Sequence, residues 1–257
     1  MSLARCLVLI RYNFRLLADD LASLLSMLFF PFIMMFFLQP AGRVLLQSSG
    51  YRDASGAEQV VPGMVVLFVF LGMSFTGSLF FQEHSWRTWD RLRASVARPL
   101  EIIIGKCTPP FVLTLVQVII LFGAGFLIFG MQTFPSLPLL GLMMLALCFC
   151  QTGLAMAWIA LSRSFSQFLI LSNLLGMLFC GLGGSLVPPE ALPGWAAFLA
   201  PASPAYWALR GFRTLLLDGG DLFSYLQALL VLLGIGSAAL LLAALRFRFA
   251  DVKEVTI

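Results

Sequence analysis

The 257-residue chain is 60% hydrophobic and 11% charged, with a net charge of +4. Soluble domains carry about 25% charged residues, so this composition excludes a water-soluble globule and points to a polytopic, all-α membrane protein. The small, unevenly placed charge speaks to orientation in a bilayer, not to nucleic acid.

The first eighteen residues read as a helix lying in the membrane surface, part of a single transmembrane domain covering 1–257. Leu3, Leu7, Ile10, Phe14 and Leu17 keep one stripe, and Arg5, Arg11 and Arg15 gather on the other side. Arginines spread through this stretch, and no small-residue site follows a compact apolar core, so no cleavable signal peptide is expected. Six charge-free segments then follow: 21–39, 60–81, 108–130, 138–161, 167–187 and 225–245. Each holds 19–24 residues, enough to cross ~30 Å of hydrocarbon as a helix. Pro31 is expected to kink the first, and Pro109-Pro110 to sit harmlessly in the opening turn of the third. The polar stretch 40–59 reads as an irregular loop.

Between the second and third segments lies 82–106, the longest polar run, with five of the sixteen Lys+Arg residues. Trp86, Trp89, Leu92 and Val96 fall along one helical stripe, with Arg87, Asp90, Arg91 and Arg98 largely off it. Such a helix either rests on lipid or docks into a groove on a soluble partner. Between the fifth and sixth segments, 188–221 contains two apolar pieces, 191–200 and 205–217, too short to cross and better read as re-entrant or interfacial helices. Pro188, Pro193, Pro201 and Pro204 break them apart, and Trp195, Tyr206 and Trp207 suit an outer-interface belt. Counting Lys+Arg by side places twelve of sixteen with the N-terminus, so both termini are expected in the cytoplasm.

Catalytic constellations are missing. His84 is the one histidine, and Cys6, Cys107, Cys148, Cys150 and Cys180 lie in or near apolar segments without a paired pattern. Gly105-Lys106 is followed by Cys107 where a phosphate-binding loop needs Ser or Thr, and the earlier glycine is absent. No catalytic, cofactor or metal site is therefore expected in this chain. The six segments as drawn hold no ionisable residue, which argues against proton- or ion-coupled transport, with Glu83-His84 the nearest proton-site candidates. Gln117, Gln151, Thr152, Ser172 and Asn173 either line a substrate path or hydrogen-bond neighbouring helices. Small residues in the fifth segment (Gly176, Cys180, Gly181, Gly183, Gly184, Ser185) suit close helix packing within or between subunits.

The arrangement resembles the membrane permeases of ABC type-2 exporters, the group that includes daunorubicin-type drug exporters and polysaccharide or lipid exporters. Glu83, Thr88, Arg91, Leu92, Ser95 and Gly105-Lys106 fit the family's pattern after the second span. Pro188, Pro193, Pro201, Pro204 and Arg210 fit its Pro-rich passage ending in arginine. Arg87 stands where the family often has glycine, and Asp90 replaces its usual Glu. The resemblance implies a plasma-membrane permease that dimerises with itself or a second permease and recruits separate cytosolic ATPase subunits, which would hold the ATP and Mg. It makes 82–98 the coupling helix, with Glu83, Trp86, Thr88, Trp89, Arg91, Leu92 and Val96 as its contact residues. Pro188, Trp195, Pro201, Pro204, Tyr206 and Arg210 would form an outer gate. The implied function is export of an amphipathic drug-like or lipid-like molecule, with polysaccharide export as a variant. A membrane assembly or regulatory protein that docks a cytosolic partner through the same helix remains the alternative.

Overall fold

The computed structural model describes residues 3–18, 21–48, 50–51, 54–85, 99–131, 136–188, 192–219 and 221–246. Among them every long element is a helix: α1 (Leu3–Ala18), α2 (Leu21–Ser48), α3 (Ala57–Leu71), α4 (Met73–Ser85), α5 (Pro99–Leu127), α6 (Leu137–Leu161), α7 (Phe165–Gly183), α8 (Gly194–Leu199), α9 (Pro204–Leu216) and α10 (Leu222–Arg246). Six spans are long and apolar enough to cross a membrane: Leu25–Ser48, Ala57–Phe81, Glu101–Leu127, Leu137–Leu161, Phe165–Gly183 and Leu222–Arg246. Large side chains such as Phe29, Phe36 and Phe37 on α2 and Ile170, Leu174 and Met177 on α7 point outward. An apolar exterior on this scale requires lipid or protein cover.

Several boundaries differ from the charge-free windows. α2 continues through Pro40 and Arg43 to Ser48, so most of the expected loop 40–59 is helix. The turn at Gly56, just before α3, is tight. Gly56 has φ +92°, and a Cβ there would lie 2.5 Å from both Gln39 O and Arg43 N, so glycine lets the chain return against α2. α3 then starts three residues early because its first turn is capped locally. Ser55 Oγ accepts from Ala57 N (3.2 Å), and Glu58 Oε2 accepts from Gly56 N (3.1 Å) and Ser55 Oγ (3.0 Å). The second span is interrupted at Gly72, where α3 ends and α4 begins. α7 stops at Gly183 because Gly184 turns left-handed (φ +89°). At the start of α10, Asp221 accepts from Ser224 N (3.1 Å) and Phe223 N (3.3 Å). Hydrogen bonds from the Ser224 hydroxyl and N–H hold its carboxyl below the usual range, so this cap persists at neutral pH and is lost in acid.

The core is built where α3, α5, α6, α9 and α10 meet, around Phe70, Phe122, Phe212, Tyr225 and Leu232. α6 and α10 form the most extensive helix pair. They meet through glycine: a Cβ on Gly153 would fall 2.5 Å from Gly236 O, and one on Gly236 2.9 Å from Cys150 Cα. The Tyr225 hydroxyl donates to Leu139 O (2.9 Å) and ties their N-terminal ends. α9 is almost entirely buried, with the Phe212 ring tilted against Phe122 at 4.9 Å between centres, while α8 exposes Trp195 and Phe198. Of the two short helices, α9 enters the bundle and α8 lies on its surface. The small residues of α7 pack it within the chain: Gly183 against Ala205 and Gly176 against Phe70; Gly181 faces open space.

Pro109 and Pro110 stand in the interior of α5, not in its opening turn. A mid-helix proline removes the N–H that would satisfy the carbonyl four residues earlier. Pro31 thus orphans Met27 O, and Pro109 orphans Gly105 O. Each receives a side-chain amide from another helix: Gln117 Nε2 donates to Met27 O (2.8 Å) and Asn13 Nδ2 to Gly105 O (3.3 Å). In lipid, where water cannot serve, these bonds take the place of the missing backbone ones. Gln117→Leu should therefore lower thermal stability in detergent by about 1 kcal/mol. In a Pro31→Ala background, which restores the N–H, that cost should largely vanish; equal costs in both backgrounds would refute the substitution of one donor for the other.

Candidate functional site

Two polar clusters stand at opposite ends of the bundle. The first lies where α1, α4 and α5 meet, beside the chain that joins α4 to α5. Trp86, Thr88, Trp89, Arg91, Leu92 and Val96 belong to that connection, 86–98, and lie outside the described residues. Glu83 is in the last turn of α4, but its side chain is likewise outside the description. The described residues flanking the connection overturn one expectation, that the spans lack ionisable groups. α5 begins at Pro99, nine residues ahead of the charge-free window, and carries Glu101 and Lys106 inside a membrane-length helix. Both are almost fully buried. Lys106 Nζ donates to Leu79 O (2.6 Å) on α4 and stands 5.2 Å from the centre of the Phe80 ring. A hydrogen-bonded carbonyl and an aromatic face are what a cation needs in such surroundings.

The neighbouring residue works differently. A Cβ on Gly105 would fall 2.7 Å from Leu9 Cβ, so glycine is what lets α1 lie directly against α5. Asn13, 1% exposed, then reaches Gly105 O and Leu9 O (2.9 Å). The N-terminal helix is thus docked on protein along this face as well as amphipathic. Gly105-Lys106, which sequence reasoning weighed as a failed phosphate loop and a family signature, joins three helices: glycine seats α1, and lysine holds α4.

The second cluster lies at the other end, among the start of α3, the end of α7 and α9. A cavity of about 250 Å³ opens there, lined by Glu58, Gln59, Tyr206, Arg210, Arg213 and Asp218 among others. Gln59 Nε2 donates to Gly184 O (3.3 Å), and the Tyr51 hydroxyl to Asp218 Oδ1 (2.7 Å). α9 positions the two arginines one turn apart. Its first turn is set by Ser203, whose hydroxyl accepts from Ala205 N (3.1 Å) and donates to Phe179 O (2.7 Å). Trp207 Nε1 donates to Pro201 O (2.8 Å), which folds the Pro-rich passage back on α9. Of the expected gate residues, Tyr206 and Arg210 line this cavity. Pro188 and Pro204 are buried, Pro201 is exposed but engaged through its carbonyl, and Trp195 is 66% exposed on α8.

Residues 4–217 match the model of the ABC-2 type transporter family. The chain belongs to that family. As an ABC-2 type chain with six apolar spans, it is a multi-pass membrane protein and a transmembrane component of an ABC transporter. It is also 31% identical over 173 residues to "ABC transporter G family member 20" of Dictyostelium discoideum. That match covers 66% of this chain and 23% of the relative, so the chain spans about a quarter of the relative's length.

The remaining polar candidates separate by position. Gln117 (2% exposed) donates to α2 as described, and Gln151 is fully buried in α6 with its Oε1 accepting from Thr152 Oγ1 (3.2 Å). Asn173 is exposed on α7. Cys148, Cys150 and Cys180 are buried as small apolar groups. Glu58, Glu101 and Lys106 fall outside the charge-free windows because a window defined by absence of charge ends at the first charged residue. A signal for the longer helix is present in the sequence: Ile102, Ile103 and Ile104 form an apolar run ahead of Gly105-Lys106. Lys106→Met should destabilise the protein by about 1.5–3 kcal/mol in detergent melts, the usual worth of a charge-assisted hydrogen bond. Arg163→Met, at an exposed position, should change it by less than about 0.5 kcal/mol.

Proposed function

We propose that this chain is the permease subunit of an ATP-driven exporter, acting as a dimer with a separate cytosolic ATPase that holds ATP and Mg. The observation that carries this reading is the family match across residues 4–217. The connection 82–98 is its coupling helix, with Glu83, Trp86, Thr88, Trp89, Arg91, Leu92 and Val96 as contacts. Its neighbours support that assignment. A push on the connection would reach α4 and α5 together through the Lys106–Leu79 bond, and α1 through Asn13 and Gly105. The cargo is an amphipathic drug-like or lipid-like molecule, because the bundle interior between its two polar ends is largely apolar. A long polysaccharide would call for a wetter path.

Orientation follows from the placement of twelve of sixteen Lys+Arg residues on one side, with both termini in the cytoplasm of a plasma-membrane protein. In a cysteine-free background, single cysteines at Ser49, Gln132 and Asp218 should react with an impermeant thiol reagent added outside. Those at Ser95, Ser164 and Thr256 should react only after the membrane is opened. Labelling of Ser95 from outside would reverse the orientation and remove the coupling helix from the ATPase side.

Docking has its own test. A buried aromatic removes ~150–250 Å² from water, several kcal/mol at ~25 cal/mol per Å², which suits an anchor at a protein contact. Trp89→Glu should leave membrane insertion intact and abolish both co-purification of the ATPase and substrate-stimulated ATP hydrolysis. Leu7→Glu, on α1, should lower stability more than partner binding. A Trp89→Glu protein that binds its ATPase and transports at the normal rate would end the coupling assignment.

A further inference from the structure

The cavity beside α9 leaves open space next to one arginine that no carboxylate among the described residues pairs with. Arg210 is half-buried in its wall. Among the described residues its guanidinium meets the Trp207 ring, 5.4 Å from the ring centre, and no carboxylate. The two acids of the same cavity are occupied elsewhere: Glu58 Oε2 caps the start of α3, and Asp218 Oδ1 accepts from Tyr51. A partly desolvated arginine without an anion is costly, and its planar fork suits the oxygens of a phosphate or carboxylate. The volume, about 250 Å³, falls just below the ~300–1,000 Å³ of pockets that enclose a drug-sized ligand. It has room for a head group. Next to the lining residues Gly183 and Gly184, the chain exposes Leu186 and Val187, an apolar path leading away from the polar wall.

We propose that this cavity binds the anionic head group, a phosphate or a carboxylate, of the exported amphiphile, with Arg210 as its principal contact and the tail outside along Leu186 and Val187. The identity of the occupant as cargo rests on the exporter reading; the anion site itself does not. The site stands at the end of the bundle opposite the 86–98 connection, where cargo would leave in the proposed orientation. It therefore selects for amphiphiles with an acidic head over cationic ones.

The test uses the full chain in phosphatidylcholine nanodiscs with a dodecyl phosphate that carries a photoreactive diazirine near its head. Crosslinks should map to peptides containing 183–187 and 206–218. Unlabelled dodecyl phosphate and dodecanoate should compete, and dodecyltrimethylammonium should not. Arg210→Gln should weaken labelling about tenfold, as loss of a charge-assisted hydrogen bond does, and Arg210→Lys should keep most of it. Equal competition by the cation, labelling elsewhere only, or undiminished labelling of a folded Arg210→Gln protein would overturn the site. The competition series needs no variant, so it decides the matter even if Arg210→Gln does not fold. Adding phosphatidylglycerol to the nanodiscs should leave labelling in place; its abolition would make the occupant a resident lipid and refute the cargo assignment. Intact labelling in a chain that recruits no ATPase would keep the anion site and remove the exporter. Normal ATP-driven transport without labelling would do the reverse.

Discussion

A backbone inside a bilayer must satisfy its own hydrogen bonds, and the prolines of this chain break that rule at named places. Pro31 and Pro109 each free a carbonyl in the middle of a helix. The structure answers with amides from neighbouring helices, Gln117 for Met27 and Asn13 for Gly105. A proline that would be a local defect thereby becomes a point of attachment, joining α2 to α5 and α5 to α1. Much of the arrangement depends on this. α1 is held on α5 by the same carbonyl that Pro109 frees, and the glycine bearing that carbonyl is the residue small enough to let α1 approach.

The two ends of the bundle handle charge in different ways. At the end nearest the 86–98 connection, Lys106 is sequestered: its ammonium is bonded to a backbone carbonyl and shielded by an aromatic ring. Such a group is structural, because exposing it would break both contacts. At the other end, Arg210 and Arg213 line an open cavity and rest near aromatic faces, at Trp207 and Tyr51. The contact with Trp207 holds Arg210 in place without neutralising it.

Between the ends, the packing is tight where helices touch through small residues. Gly153 and Gly236 bring the backbones of α6 and α10 into contact, and Gly183 does the same for α7 and α9. α9, with Phe212 fully buried and Ser203 bonded to Phe179 O, is part of the core and carries its arginines on one rigid element. That placement gives the cavity its shape.

Composition and hydropathy alone determined that this is a six-span helical membrane protein, because a bilayer permits few other solutions for such a chain. They also marked 82–106 and the Pro-rich passage 188–221 as departures from the span pattern, since polarity and proline are local properties. The ends of the spans were another matter. A charge-free window stops short of Glu58 and Lys106, whereas each helix continues where the charge finds a partner: Ser55 and Gly56 for Glu58, and Leu79 O on another helix for Lys106. Likewise sequence alone leaves Gln117 as a bond to a neighbouring helix or a substrate contact, and the helix bond is the one the structure shows, to Met27 O. The grouping of Glu58, Tyr206, Arg210 and Asp218 around one cavity joins residues far apart in the chain. Only the tertiary structure decided these, because the energy of a buried polar group is set by the atoms facing it and not by its neighbours in sequence.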